Sequence, residues 1–188
     1  MTTERQAAIC MSREREDHSE SAEQSQEREA LRALFEEICD RAEETFLRKG
    51  SHEPILLVLT RLGLVAVHAD FDDGFAREPV ARDIRERIRS TVIDIDDEPV
   101  QDEPRAVILA AEAWMVEYDP NEGEQMAELP PRLHPRRKEI LQVLLRTKEL
   151  SFCRTWPIVR RRAKVGLGEP SDLSAEGMES VWDIILTG

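Results

Sequence analysis

Apolar residues return along this chain at two different periods, and the changes of period divide it into elements. Leu31, Leu34, Phe35, Ile38, Ala42 and Phe46 recur at three- and four-residue steps, the spacing that lays one stripe along a helix. Arg48, Lys49 and Gly50 follow as a stop, because cations suit the negative helix end and glycine suits the left-handed residue after it. Pro54 opens a run of branched aliphatics, Ile55–Thr60, and Arg61-Leu62-Gly63 separates it from Leu64–Ala69. Two such runs joined by a short glycine-containing link predict a β-hairpin. A second helix is predicted from Arg77 to Val92, with Pro79 in its first turn and Val80, Ile84, Ile88 and Val92 as a narrow ridge.

Asp94–Pro104 reads as an acidic, proline-bounded loop, and Ala106–Tyr118, the most apolar stretch, as a central strand. Asp119–Pro135 holds four prolines and a glycine, which predicts a long loop. Ile140–Thr147 and Phe152–Arg160 flank Lys148–Ser151 as a second hairpin. Ser174 is placed to cap a closing helix with Met178, Val181, Trp182 and Ile185 on one face. The order α-β-β-α-β-β-β-α, with hairpins rather than strict alternation, predicts an α+β fold. It implies a single mostly antiparallel or mixed sheet of about five strands with helices packed against it. Residues 1–25 are rich in Glu, Ser, Gln and Arg and poor in apolar side chains, so they are expected to form a polar tail, disordered or frayed. Residues 26–188 are expected to form one α+β domain.

Charge narrows the functional classes. The net charge is −13, from 39 acids and 26 bases, and the acidic excess is spread over residues 1–150 and absent from 151–188. Such a balance argues against direct nucleic-acid binding, which needs cations to displace counterions, and against docking on an anionic membrane. It fits a protein partner with a basic surface. Cys10, Cys39 and Cys153 are far apart and in no CxxC spacing, which implies free thiols and no zinc cluster. The opening residues carry no apolar signal segment and no run approaches a membrane span, so a cytoplasmic protein is expected. Nothing in the sequence calls for a cofactor.

Glu112 is the polar residue that breaks the most apolar stretch. Strand alternation puts it on one face with Ala110, Trp114 and Val116, where partial desolvation would raise a carboxylate pKa toward acid–base work. An edge or solvent-facing position, or pairing with an arginine on the neighbouring strand, is the structural reading of the same residue. His134 stands at the end of the long loop, before Arg136 and Glu139. Strand pairing would bring that segment near Trp114, so Glu112 and His134 are candidate catalytic residues, and Trp114, Arg136 and Glu139 candidate binding residues. An exposed loop histidine is the structural reading of His134.

Asp70-Phe71-Asp72-Asp73-Gly74 lacks the spacing and closing glutamate of an EF-hand, and His68-x-Asp70 supplies too few ligands for a metal site. Arg160-Arg161-Arg162-Ala163-Lys164, flanked by Trp156, is a basic knot with the arginine and aromatic chemistry to touch nucleic acid; the chain's charge opposes that, so acidic contacts within the chain, the N-terminal tail included, or on a partner are expected. No phosphate-binding loop, nucleophile elbow or HExxH motif occurs.

Glu112-Ala113-Trp114-Met115, followed by His134-Pro135-Arg136-Arg137-Lys138-Glu139, resembles a pattern in small bacterial and phage α+β proteins that have no established activity. Their Gly-x-x-x-Pro entry into the first strand is matched by Gly50-Ser51-His52-Glu53-Pro54. The resemblance covers roughly residues 30–160. It implies a compact domain starting near Gly50 and singles out Glu112 and His134, but it supplies no function. Two expectations follow. The first is a non-enzymatic acidic interaction or regulatory protein that binds a protein partner. The second is a small hydrolase that uses Glu112 and His134 beneath the 119–135 loop.

Overall fold

The structure is a computed structural model that describes residues 22–67, 77–95, 98–116, 131–162, 164–173 and 183–187. Helix α1 runs from Ala22 to Lys49, so residues 22–25, expected in the polar tail, are helical. By packing the chain divides into two units, Met1–Arg32 and Ala33–Gly188, and α1 crosses that boundary. The second unit carries all the remaining elements.

These are β1 (Ile55–Thr60), β2 (Gly63–Val67), α2 (Arg77–Ser90), β3 (Val92–Ile95), β4 (Glu98–Gln101), β5 (Pro104–Met115), β6 (Lys138–Arg146), β7 (Ser151–Arg161), β8 (Lys164–Leu167), β9 (Ser171–Leu173) and α3 (Asp183–Thr187). Seven strands form one antiparallel sheet in the order β2-β1-β5-β6-β7-β8, with β9 also beside β7, and β3 and β4 form a separate hairpin. The α+β class and the antiparallel sheet agree with the sequence reading. The strand number does not, for two physical reasons. Part of 94–104, expected as a loop, is strand: Val92, Ile93, Ile95 and Val100 supply enough β-branched residues across this segment and the two positions before it for Val92 to pair with Gln101 and Ile93 with Val100. The basic knot after Arg160 is also a hairpin, in which Arg160 pairs with Val165 and Arg161 with Lys164.

Pro157 explains why β8 and β9 are two strands. Its carbonyl accepts from Gly168 N at 2.7 Å, so its missing N–H faces the same neighbour and pairing lapses there until Ser171 meets Thr155.

Strand alternation gives the sheet two buried faces. One carries Leu56, Val58 and Val107 against Ala81, Ile84 and Ile88 of α2 and Ile185 and Leu186 of α3. Val92, expected on the α2 ridge, instead opens β3 and is exposed. The closing helix is short, and residues 174–182, including Ser174, Met178, Val181 and Trp182, lie outside the described residues.

The opposite face carries Ile108, Leu141, Val143, Leu145 and Trp156, all buried, and receives α1 through Phe35, Ile38, Cys39, Ala42 and Phe46. The Phe35 and Phe152 rings meet at 5.6 Å between centroids. Gly50 ends α1 with φ 75° and its N–H returns to Phe46 O at 2.7 Å, a left-handed stop that favours glycine. Cys39 and Cys153 are buried free thiols, and burial pushes Cys39 up to about 12. Among the described residues no helix is long and apolar enough to cross a membrane.

Candidate functional site

Glu112 lies on β5 and Glu139 on β6, on the face that receives α1. Register sets Glu112 opposite Leu141 and Trp114 opposite Glu139, so the two carboxylates are diagonal neighbours. Between them comes Arg160, from the end of β7. Its Nη2 donates to Glu112 Oε2 at 3.0 Å and to Glu139 Oε1 at 2.5 Å, and its Nε donates to Glu139 Oε2 at 2.8 Å. Glu139 thus holds a forked guanidinium bond, and this pairing keeps its carboxyl below the ordinary carboxylate value. Arg160 Nη1 also donates to Gly50 O at 3.4 Å, which ties the end of α1 to the sheet.

The other oxygen of Glu112, Oε1, accepts the backbone N–H of His52 at 2.7 Å. His52 is 5% exposed, its Nδ1 is enclosed with no hydrogen-bond partner among the described residues, and burial lowers its pKa. Beside it, between α1 and the sheet, is a cavity of about 230 Å³ lined by Ile38, Ala42, Thr45, His52, Leu57 and Ile108, among others. Its wall is almost wholly apolar.

The structure brings together Glu112, Trp114 and Glu139 from the sequence-derived set. It leaves His134 apart from Glu112, since no hydrogen bond or ion pair joins them among the described residues. His134 is not the exposed loop histidine of the structural reading. It is 2% exposed and folded into its own turn, where its Nδ1 accepts Arg136 N–H at 3.1 Å and its carbonyl accepts Arg137 N–H at 3.1 Å. A short 3-10 turn, Pro131–Leu133, leads into it, and residues 117–130 of the expected 119–135 loop lie outside the described residues. Arg136 is exposed. Trp114 is 44% exposed, and the Arg137 guanidinium lies over its ring, 5.2 Å from the centroid.

Arg160, His52 and Arg137 were not singled out by sequence reasoning for this cluster. Arg160 carried a signal, the run of arginines, but only the register of β6 and β7 shows which of them faces Glu139. Among the described residues no group of three or more His, Cys, Asp and Glu could hold a metal ion. His68, Asp70, Asp72 and Asp73 lie outside those residues.

A second arginine forms a parallel arrangement at the other end of the same face. Arg154 on β7 donates to Glu36 of α1, with Nη1 to Oε2 at 2.5 Å, and to Asp172 of β9, with Nε to Oδ1 at 2.6 Å and Nη2 to Oδ2 at 3.1 Å. Its guanidinium also lies 5.6 Å from the centroid of the Phe35 ring. Comparison with known proteins returned no match: no family model, no curated protein and no solved structure is similar to this chain.

Proposed function

We propose that this chain is a non-enzymatic interaction protein that binds a protein partner presenting a basic surface. The observation that carries the reading is the engagement of Glu112: one oxygen holds the His52 N–H and the other holds Arg160. A general base needs an oxygen free to reach a substrate proton. Glu139 is likewise bound by Arg160, and His134 is closed into its turn. The carboxylates join strands and helix, which supports the interaction reading over the hydrolase alternative.

What supports the choice of partner is the outer side of α1. Glu37, Asp40 and Glu44 follow at three- and four-residue steps, all exposed. Such a row attracts a positively charged surface and speeds encounter with it.

The test is capture of partners from host lysate at low and high salt, with the wild type and with a Glu37→Lys, Asp40→Lys, Glu44→Lys variant. The expected result is a stoichiometric protein bound by the wild type at low salt, released at high salt and lost by the variant. Identical capture by both proteins would overturn the reading.

A further inference from the structure

The two edges of the main sheet are built differently. One edge is formed by β8 and β9 beside β7. Those strands are four and three residues long, they carry Lys164 and Asp172, and pairing lapses between them at Pro157. Short strands, charges and interrupted pairing are the devices by which a sheet edge discourages another strand. The other edge is β2, Gly63-Leu64-Val65-Ala66-Val67, which has none of them. It carries no charge and no proline, and its register with β1 runs unbroken from Thr60↔Gly63 to Leu56↔Val67. Among the described residues no strand pairs with its outer side. Leu64 is 46% and Val65 41% exposed, on opposite faces of the sheet. A regular, uncharged edge with open apolar side chains is where a further strand adds.

Strand geometry decides which backbone groups that edge offers. Gly63 O accepts the Thr60 hydroxyl at 3.2 Å, so it points toward β1. Backbone groups alternate sides along a strand, so Val65 and Val67 also turn theirs to β1, while Leu64 and Ala66 turn N–H and C=O outward. This arrangement is complementary to itself. About a two-fold axis at Val65, Leu64 of one copy meets Ala66 of a second copy, and each donates its N–H to the other's C=O. Val65 then meets its own counterpart on one face. On the other face each Leu64 lies opposite an alanine, so a large side chain takes the room left by a small one. A basic partner would find no acid on β2, whereas a second copy brings the matching strand. The charged, broken edge at β8 and β9 ends the assembly at two copies.

We propose that the chain forms a two-fold dimer by antiparallel pairing of β2 with β2 of a second copy, which joins the two sheets into one. This goes beyond the protein-partner reading and rests on a different surface, since the acids of that reading lie on α1. Five residues a side make a small interface beside the roughly 800 Å² per partner of a standard stable complex. The dimer is therefore expected to dissociate on dilution through the micromolar range. Salt is not expected to weaken it, because no ion pair holds it.

The experiment is sedimentation velocity of the full chain from low to high micromolar concentration, at low and at high salt. Three variants are compared: Ala66→Pro, Leu64→Lys, and Val165→Lys on β8 as a control at the other edge. Proline at 66 lacks an N–H that faces away from β1, so the β1–β2 hairpin keeps its bonds while each copy loses a donor to the other. Circular dichroism checks that each variant is folded. Should Ala66→Pro lose its fold, Leu64→Lys carries the comparison, because its side chain leaves the sheet face into solvent. The expected result is a monomer–dimer equilibrium, not weakened by salt, in the wild type and in Val165→Lys. Both β2 variants should need concentrations about tenfold or more higher to dimerise. A wild type that stays monomeric would overturn the proposal, as would a dimer that Leu64→Lys leaves intact. Dissociation of the wild type by salt would overturn it in favour of a charged interface, and growth past two copies would overturn the closed pairing.

Discussion

Arg160 reaches Glu112 across an intervening strand: Nη2 lies 3.0 Å from Oε2, although one residue is on β7 and the other on β5. Glu139 on the strand between completes the bridge, and Gly50 O brings in the end of α1. One guanidinium therefore fastens three strands and a helix terminus, which is work for an arginine because its fork offers several donors at once.

Removing that guanidinium leaves two half-buried carboxylates side by side. Arg160→Met is expected to destabilise the fold by about 1–2 kcal/mol, toward the lower end for a buried pair because the Arg160 side chain is 43% exposed and water screens part of the interaction. The loss should depend on pH in a definite direction. Glu139 has a folded pKa below its ordinary 4.5, so its contribution is present above that value and is lost as pH falls through 4.5 and below. Urea denaturation of wild type and Arg160→Met from pH 7 down to pH 3 should show the difference between them shrinking over the acid part of that range. A difference that stays constant would mean that Arg160 stabilises by packing alone.

Arg154 is the more deeply set of the two arginines, with its side chain 18% exposed, and it joins α1 to the sheet edge through Glu36 and Asp172. Those hydrogen bonds hold its own pKa above the ordinary guanidinium value. Arg154→Ala should cost about 2–4 kcal/mol, and Arg154→Lys should recover less than half of that, since an ammonium cannot fork to both carboxylates. Cys39 reports on the same contact from within α1. Burial holds its thiol near 12, and loosening α1 should make it react faster with an alkylating reagent. Full protection of Cys39 in a destabilised Arg154→Ala would show that the energy is lost elsewhere.

The α1 stripe, both hairpins and the central strand were legible in the sequence because their apolar periods are long and end at glycine or proline. Glu112 was visible for the same reason, as a break in an apolar run. Its partner was not. The pairing with Arg160 depends on two registers, Glu112 with Leu141 and Leu141 with Trp156, and periodicity within one strand says nothing about alignment between strands. His134 misled in the opposite direction. A histidine before proline in a proline-rich stretch reads as exposed, yet its Nδ1 satisfies a backbone donor inside the turn, which favours burial. The separation of β8 from β9 depends on the missing N–H of Pro157, which periodicity does not show.

His52 should give the fold a second, distinct pH dependence. The side chain is buried, Nδ1 has no hydrogen-bond partner among the described residues, and the folded pKa is lowered from 6.5 by burial. The sign follows from proton binding. Below 6.5 the unfolded chain takes up a proton that the folded chain resists, so stability is full above 6.5 and declines as pH falls toward the folded value. His52→Gln removes the titration while keeping a polar side chain, and its backbone N–H can still donate to Glu112. Between pH 7.5 and pH 5.5 the wild-type urea midpoint should fall, and the midpoint of His52→Gln should fall less. Comparing the two proteins cancels the titrating groups they share. Parallel declines would place the pH-sensitive group elsewhere. A rise in wild-type stability on acidification would mean that His52 finds an acceptor in the fold and is held charged.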